Sequence, residues 1–201
     1  MLLDEIRKMN KQGRAKFMAV SEDSEKALLD VIDKLKPKTI LELGSGIGYS
    51  GLVMLERAKD AYMVTIEVNK ENYGKALQNY ADNMCLDRIL PVNADAEDVV
   101  QSLANYGKQQ FDLIFLDCNK SSYKRMISNL ITLLPSGGVL FADDVLMTGL
   151  VNQDRSKQVP HKHRSMVNNL REFIDYCSGS SEFSSVQIID KGNGILVAIK
   201  K

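Results

Sequence analysis

The sequence predicts an α/β fold built on a mostly parallel sheet of seven strands, with helices on both faces. Apolar strand-like segments alternate with helical segments five times along the chain, which is typical of parallel sheets covered by crossover helices. The last two strand-like segments, SSVQIID and ILVAIKK, are joined by only KGNG. A connection this short can join only antiparallel strands, so we expect the sheet to end in a C-terminal antiparallel hairpin.

The predicted elements follow one another in a regular order. Residues 1–20 are expected to form a charged N-terminal helix or arm, and Ser21 is expected to cap a second helix that has acids in its first turn. The apolar face of this second helix comprises Ala27, Leu28, Val31, Ile32 and Leu35. The parallel strands are predicted at 39–44, 62–68, 89–94, 111–117 and 137–144. The other helices are predicted at 49–59, up to about Asn83, from Glu97, through 121–134 and through 166–177.

Size and composition indicate one domain covering residues 1–201. A chain of 201 residues with 44% hydrophobic residues can bury one core but hardly two. It contains no apolar run of about 18 residues, the minimum for a membrane-spanning helix. The N-terminal segment carries charges where a signal peptide would need an apolar stretch. We therefore expect a cytoplasmic protein without a membrane partner.

Cysteine content and net charge exclude several other classes. The three cysteines, Cys85, Cys118 and Cys177, are far apart and form no C-x-x-C pair, so neither a disulfide framework nor a zinc ribbon is indicated. Basic and acidic residues number 26 each, so the overall charge does not indicate a nucleic acid or an anionic membrane as a partner.

A glycine-rich loop, in the sequence LELGSGIGY, follows the first predicted strand and indicates a nucleotide-type ligand. Its glycines are Gly44, Gly46 and Gly48. A pyrophosphate-binding fingerprint would place the third glycine one residue later, so a dinucleotide is less favoured. Glu67, at the end of the second strand, can accept both hydroxyls of a ribose, and Glu42 precedes the loop. This combination favours S-adenosylmethionine over NAD.

Acidic residues end the fourth and fifth predicted strands. Asp117 ends one strand, and Asp143 and Asp144 end the next. Because ligands of open α/β sheets bind outside the carboxyl ends of the strands, these carboxylates are expected near the ligand. Without a cation they would repel one another. An all-oxygen set of this kind suits Mg2+, Mn2+ or Ca2+ and argues against zinc.

From about Val20 onwards the chain resembles the cation-dependent O-methyltransferases related to catechol O-methyltransferase and caffeoyl-CoA O-methyltransferase. The matching segments are MAVSEDSEKALL, ELGSGIGYS, TIEVN, NADAED, FDLIFLDCNKSSY, LLPSGGVLFADDVL and GNGILVAIKK. The resemblance implies a Rossmann-like class I methyltransferase fold, an S-adenosylmethionine cofactor and a bound divalent metal, with Mg2+ expected first. It also implies direct transfer of the methyl group to a hydroxyl of the acceptor.

The resemblance assigns roles to individual positions. The residues expected to bind the cofactor are Val20, Glu42, Gly44, Ser45, Gly46, Gly48, Ser50, Glu67, Asp95, Ala96 and Asp117. The expected metal ligands are Asp117, Asp143 and Asp144, and Lys120 is the expected catalytic base beside Asp117. The family usually has Asp-Asn where this chain has Asp143-Asp144. The added carboxylate makes the site more negative.

The acceptor is predicted to be a catechol-like or other vicinal-oxygen small molecule, with tRNA 5-hydroxyuridine as the alternative. The alternative depends on charge, because residues 152–171 hold five Lys or Arg against one acid, a pattern that can form a phosphate-binding rim. No interleaved aromatic residues for stacking bases accompany them. Residues 145–168 are expected to form a mobile substrate loop, and the protein is expected to be a homodimer.

Two other function classes remain open. An NAD-dependent dehydrogenase could use the same glycine loop, but hydride transfer does not require the three acids. A non-catalytic nucleoside-binding module would keep the loop and lose the acids. Because Asp117, Lys120, Asp143 and Asp144 are all present, both classes rank below the methyltransferase.

Overall fold

The computed structural model describes residues 1–11, 20–107, 109–153 and 159–201. A single seven-stranded sheet runs through these residues, in the order β3-β2-β1-β4-β5-β7-β6. The strands are β1 (Thr39–Leu43), β2 (Tyr62–Ile66), β3 (Ile89–Val92), β4 (Leu113–Leu116), β5 (Val139–Ala142), β6 (Phe183–Ile189) and β7 (Ile195–Lys200). Strands β1 to β5 pair in parallel, whereas β7 is antiparallel to both β5 and β6. The predicted fold class and the C-terminal hairpin are therefore confirmed.

Seven α-helices accompany the sheet in the described part of the chain. They are α1 (Leu3–Lys11), α2 (Glu22–Leu35), α3 (Tyr49–Arg57), α4 (Lys70–Asp82), α5 (Ala96–Tyr106), α6 (Tyr123–Thr132) and α7 (Arg164–Gly179). Short 3-10 turns at Lys120–Ser122 and His161–His163 precede α6 and α7. None of the helices in these ranges combines the length and apolarity needed to cross a membrane.

The parallel strands are shorter than predicted at their carboxyl ends. Strand β4 ends at Leu116 and β5 at Ala142, so Asp117, Asp143 and Asp144 follow the strands and lie in the loops. One further backbone hydrogen bond continues the sheet pairing after each of these strands. Asp117 N donates to Leu43 O of β1 at 2.9 Å, and Asp143 N donates to Leu116 O of β4 at 3.0 Å. Beyond that bond the backbone leaves the sheet. The acids therefore sit at the sheet edge.

The sheet is buried on both faces. One hydrophobic cluster includes Val100 of α5, Met126 of α6 and Val167 of α7. The other includes Leu28 of α2 and Leu52 of α3. Strand β4 is buried at every position, as expected of a central parallel strand covered by helices on both sides. Because helices cover both faces, the loops that follow the parallel strands meet at the carboxyl edge of the sheet.

Helix α2 begins as predicted but is covered on only part of its apolar face. The side chain of Ser21 accepts a hydrogen bond from Ser24 N at 3.1 Å, which confirms the N-cap. Leu28 and Ile32 are buried against the sheet. The neighbouring apolar residues Ala27, Val31 and Leu35 remain half-exposed.

Two predicted segments lie partly outside the described residues. The N-terminal helix is present as α1, but residues 12–19 of the predicted arm are not among the described residues. The same holds for residues 154–158 of the predicted substrate loop.

Candidate active site

A cavity of about 570 Å³ opens at the carboxyl edge of the sheet. The loops that follow β1 to β5 form most of its wall, together with the β6–β7 turn and Val20. Its lining residues are Val20, Gly44, Ser45, Gly46, Ser50, Ile66, Glu67, Val68, Ala94, Asp95, Ala96, Asp117, Cys118, Asn119, Ser122, Asp144 and Asn193. Nine of the eleven residues predicted to bind the cofactor are in this set, and the exceptions are Glu42 and Gly48. The structure thus brings the predicted cofactor residues together at one site.

Two of the loop glycines are required by close contacts with the protein. At Gly44, which has φ +98°, a Cβ atom would lie 2.3 Å from the carbonyl oxygen of Asp117. At Gly48, which has φ +90°, it would lie 2.7 Å from the ring of Tyr80. A side chain at either position would therefore clash with these atoms and displace the loop. Gly48 does not line the cavity, so its contact with Tyr80 is reason enough for a glycine there.

Glu67 anchors the glycine loop from the end of β2. Its carboxylate accepts hydrogen bonds from Gly46 N at 2.8 Å and from Asn69 N at 2.7 Å. The residue is only 8% exposed, and it lines the cavity. Asp95, which also lines the cavity, caps α5 by accepting a bond from Glu97 N at 2.8 Å. Two acids therefore mark the end of the cavity that lies over β2 and β3.

Glu42 lies beneath the glycine loop and is fully buried. The hydroxyls of Ser50 and Thr65 donate hydrogen bonds to its carboxylate. Burial, offset in part by these two bonds, raises the pKa of Glu42 to about 7. The nearby hydroxyl of Tyr80 is buried and has no hydrogen-bond partner among the described residues. Glu42 therefore lies under the loop and does not line the cavity. It bonds Ser50, which does line the cavity.

At the other end of the cavity, the lining residues Asp117 and Asp144 lie close to the side chain of Lys120. The Lys120 ammonium donates to Asp117 Oδ1 at 2.5 Å and to the Tyr123 hydroxyl at 3.0 Å, and it lies 4.0 Å from Asp144 Oδ2. Tyr123 in turn donates to Leu116 O at 2.8 Å. The Lys120 side chain is only 13% exposed. These contacts hold the ammonium at the ends of β4 and β5, next to the cavity.

Asp143 and Asp144 point to different places because the chain turns between them. Asp144 adopts a left-handed conformation with φ 58° and lines the cavity. Asp143 is buried, and its Oδ1 accepts bonds from Ser24 Oγ at 2.7 Å and from Asp144 N at 2.9 Å. Burial, followed by the charge of Asp117, raises the pKa of Asp143 to about 6. Burial also raises the pKa of Asp117, although Lys120 opposes this.

The three predicted metal ligands are neighbours but do not meet at one point. Within the described ranges, no group of three His, Cys, Asp or Glu side chains has the arrangement of a metal site. Asp117 bonds Lys120, whereas Asp143 bonds Ser24 of α2. The shared partner of Asp117 and Asp144 is thus the lysine ammonium.

The protonation of Lys120 and Cys118 follows from these surroundings. Burial is the largest influence on Lys120 and would lower its pKa, but Tyr123, Asp117 and Asp144 together raise that pKa well above its ordinary value. Lys120 is therefore an ammonium in this arrangement. Burial raises the pKa of the Cys118 thiol to about 12. Cys118 is accordingly a packing residue and not a nucleophile.

Asn193 lines the cavity, although it is not among the site residues predicted from the sequence. It belongs to the KGNG turn, whose backbone bonds the segment after β5, from Val145 N to Gly194 O at 2.9 Å and from Leu146 N to Asn193 O at 2.8 Å. Because β7 runs antiparallel to β5, this turn lies at the carboxyl edge of the parallel strands. The GNG motif was visible in the sequence, but only the strand order shows that it reaches the site.

The basic residues of the segment 152–171 are not all free to bind phosphate groups. Arg171 donates to the backbone carbonyls of Val151 and Gln153, and Arg164 donates to that of Val159. Lys162 is exposed. The other two basic residues, Arg155 and Lys157, lie outside the described residues. Two of the five charges therefore hold the backbone in place.

Known proteins resemble this chain along its whole length. The profile of a family described as O-methyltransferase matches residues 1–201. A caffeoyl-CoA O-methyltransferase of Populus kitakamiensis is 28% identical over 184 residues, which cover 90% of this chain and 78% of that protein. The crystal structure of a Bacillus cereus O-methyltransferase in complex with SAH has a TM-score of 0.82 at 24% identity, covering 99% of this chain and 90% of the other. The Streptomyces achromogenes O-methyltransferase TomG, in complex with SAM, has a TM-score of 0.82 at 22% identity, covering 99% and 89%.

Proposed function

The chain belongs to the O-methyltransferase family, and we propose that it transfers the methyl group of S-adenosylmethionine to a hydroxyl of a catechol-like or other vicinal-oxygen small molecule, with the help of a divalent cation. One observation carries this proposal. A single cavity joins the glycine loop and Glu67 at one end to Asp117, Asp144 and the adjacent Lys120 at the other. A nucleoside site and a group that can hold a proton thus border the same space.

The cofactor assignment is supported by the end of the cavity over β2 and β3. The Glu67 carboxylate is oriented by two backbone amides, and it can accept hydrogen bonds from ribose hydroxyls. Ile66, Val68 and Ala96 supply apolar wall beside it. The Bacillus cereus and Streptomyces achromogenes structures, which hold SAH and SAM, add support from proteins of the same fold.

The residues at the other end fit a hard divalent cation by their chemistry. Asp117, Asp143 and Asp144 offer only oxygen ligands, which Mg2+ and Mn2+ prefer. Burial is the main reason that the pKa values of Asp117 and Asp143 are raised, and the charge of neighbouring carboxylates adds to it. These three residues would hold the ion, although in the present arrangement Asp117 bonds Lys120 and Asp143 bonds Ser24. When bound, it would lower the pKa of an acceptor hydroxyl.

Lys120 is the residue best placed to take the acceptor proton. Its Nζ atom is held by Tyr123 and by Asp117, which lines the cavity. An ammonium cannot act as a base, and the surrounding carboxylates favour the ammonium. The base role therefore requires that part of this negative charge first be balanced by another cation. Asp117 accepts the hydrogen bond that orients Lys120.

A small acceptor is favoured over tRNA by the residues around the end of the cavity that Asp117 and Asp144 line. Of the basic residues in 152–171 that the structure describes, Arg164 and Arg171 bond backbone carbonyls, which leaves fewer charges for phosphates. Asn193 adds a neutral amide to the cavity wall, which Asp144 also lines. An uncharged phenol with two adjacent oxygens suits such a wall.

The test is methyl transfer from labelled S-adenosylmethionine to two acceptors, catechol and bulk tRNA, each with Mg2+ and with EDTA. We expect label in the catechol product only when the metal is present. Label in tRNA alone would replace the small-molecule acceptor with the tRNA alternative. Binding of NAD in place of S-adenosylmethionine would contradict the methyltransferase itself.

A further inference from the structure

The carboxamide of Asn193 is an unused hydrogen-bonding group in the wall of the cavity. The residue is half-buried and lines the cavity, and its side chain makes no hydrogen bond to any residue that the structure describes. The other hydroxyl and amide side chains of the wall are all bonded to the protein. They are Ser45, Ser50, Asn119 and Ser122, which bond Gly46, Glu42, Ser121 and Arg125 respectively. Asn193 therefore keeps its donors and its acceptor for a ligand.

The backbone places Asn193 at the end of the cavity that Asp144 lines. The pairing of β5 with β7 continues past the strands, and Leu146 N donates to Asn193 O at 2.8 Å. Asn193 is thus bonded to the chain two residues after Asp144. Glu67 follows β2, which lies three strands away from β5 in the sheet. Asn193 therefore borders the acids and not the predicted ribose site.

The turn that carries Asn193 is packed on both sides. A Cβ atom at Gly194 would lie 2.1 Å from Leu146 Cγ, in the segment after β5. A Cβ atom at Gly192 would lie 2.9 Å from Oγ of Ser21, the residue that caps α2. Backbone contacts this close fix the position of the residue between the two glycines. Asn193 is therefore preorganised to meet a ligand, which reduces the ordering cost of binding.

We propose that the Asn193 carboxamide hydrogen-bonds an uncharged polar substituent of the acceptor, and that this residue determines which substituent the site accepts. The inference rests on the proposed function, because it takes the acceptor to lie beside Asp117 and Asp144. An amide donates to an oxygen and also accepts from a hydroxyl, so a hydroxyl substituent can satisfy both of its groups. A charged substituent would lose its water and gain only one neutral partner in exchange.

Three catechols that share the ring and both hydroxyls test the proposal. They are 3,4-dihydroxybenzyl alcohol, which is neutral, 3,4-dihydroxybenzylamine, which is a cation, and 3,4-dihydroxybenzoate, which is an anion. Calorimetry measures their affinities for the protein saturated with S-adenosylhomocysteine and Mg2+, so no turnover is needed. The parent should bind the alcohol most tightly.

Two substitutions of Asn193 give the expected changes. Asn193→Ala should weaken binding of the alcohol about fivefold, the usual effect of losing one hydrogen bond. Asn193→Asp should raise the ratio of benzylamine affinity to benzoate affinity about tenfold or more, because the new carboxylate attracts the cation and repels the anion. Affinity for S-adenosylhomocysteine alone should stay at the parent value in both variants. The matched changes Asn105→Ala and Asn105→Asp, at an exposed position of α5, should alter none of these affinities.

Each result decides the proposal, with circular dichroism to verify that each variant is folded. A parent that prefers a charged catechol, or a ratio that Asn193→Asp leaves unchanged, would overturn it. A loss of S-adenosylhomocysteine affinity in the Asn193 variants would also overturn it, by assigning the residue to the cofactor. If the parent binds none of the three catechols, this inference fails together with the proposed acceptor. Catechol binding that does not respond to residue 193 would overturn this inference alone.

Discussion

Ser24 Oγ donates a 2.7 Å hydrogen bond to Asp143 Oδ1, joining α2 to the end of β5 across 119 residues of sequence. Both residues are buried. The bond lowers the pKa of Asp143, in opposition to the burial that raises it. A serine in the first turn of a helix thus helps to keep a carboxylate of the active site charged and fixed in direction.

Ser24→Ala should weaken the fold and the acid cluster together. The substitution leaves a buried carboxylate with one bond fewer, which costs about 1–3 kcal/mol. We expect the free energy of unfolding in urea to fall by that amount, and methyl transfer to fall while binding of S-adenosylhomocysteine stays near the parent value. Ser128→Ala, at an exposed position of α6, is the control. Unchanged stability of the Ser24 variant would mean that water replaces the hydroxyl.

Glu67→Ala should weaken cofactor binding by about 1.5–3 kcal/mol, because hydrogen bonds to a charged group are among the stronger ones. Part of the loss would come from the loop, since Glu67 also holds Gly46 N. Calorimetry with S-adenosylhomocysteine measures the effect, and Asp98→Ala on the exposed side of α5 serves as the matched change. Tighter binding of NAD than of S-adenosylhomocysteine to the parent would refute the cofactor assignment.

Activity should vanish with EDTA and return with Mg2+ or Mn2+, because Asp117, Asp143 and Asp144 offer only oxygen ligands. The fold should persist, since the core of the sheet is apolar. Asp143→Ala should abolish transfer. Asp144→Asn should remain active with weaker metal affinity and a slightly lower pH optimum, because a less neutralised cation acidifies a bound hydroxyl more strongly. Full activity after exhaustive metal removal would show that these acids only shape the turn.

Glu42 should make the protein less stable as the pH rises through its folded pKa. The folded pKa of about 7 lies above the ordinary value of 4.5, so the folded state binds the extra proton between these values. Stability is therefore highest below about pH 4.5 with respect to this group. It falls as the pH rises from there to about 7, by roughly 3 kcal/mol in total, and then levels off.

Glu42→Gln removes this titration and keeps hydrogen-bonding groups for Ser50 and Thr65. The difference in unfolding free energy between the variant and the parent should therefore grow in favour of the variant from pH 5 to pH 8. Glu182→Gln, at an exposed site, provides the comparison. A difference that does not change with pH would mean that Glu42 is ionised throughout the range.

Transfer to catechol should depend little on salt, whereas transfer to tRNA through a basic rim should fall steeply as phosphate contacts are lost. Charge reversal at Arg155, Lys157, Lys162 and Arg164, followed by assays on hydroxyuridine tRNA and on catechol at increasing salt, separates the two acceptors. If the tRNA alternative holds, the variant loses tRNA activity alone. Intact tRNA activity in the variant would eliminate the basic rim.

The sequence by itself determined the fold class and the edge of the sheet at which the site lies. Alternating strands and helices require a parallel sheet, and loops that follow such strands gather at one edge, which places Glu67 and Asp117 together without any knowledge of packing. The glycine loop was also predicted from the sequence. The sequence did not show that Gly44 packs against Asp117 whereas Gly48 packs against Tyr80.

Only the tertiary structure decided where each side chain at that edge points. Glu42 precedes the glycine loop by two residues, yet it faces Thr65, its neighbour in the register of β1 and β2, and so lies under the loop. The turn at Asp144 separates two adjacent acids, and α2 and the β6–β7 turn bring in Ser24 and Asn193 from far along the chain. Spacing along a chain predicts which residues reach an edge, but contacts between distant elements set the direction, burial and charge of each group there.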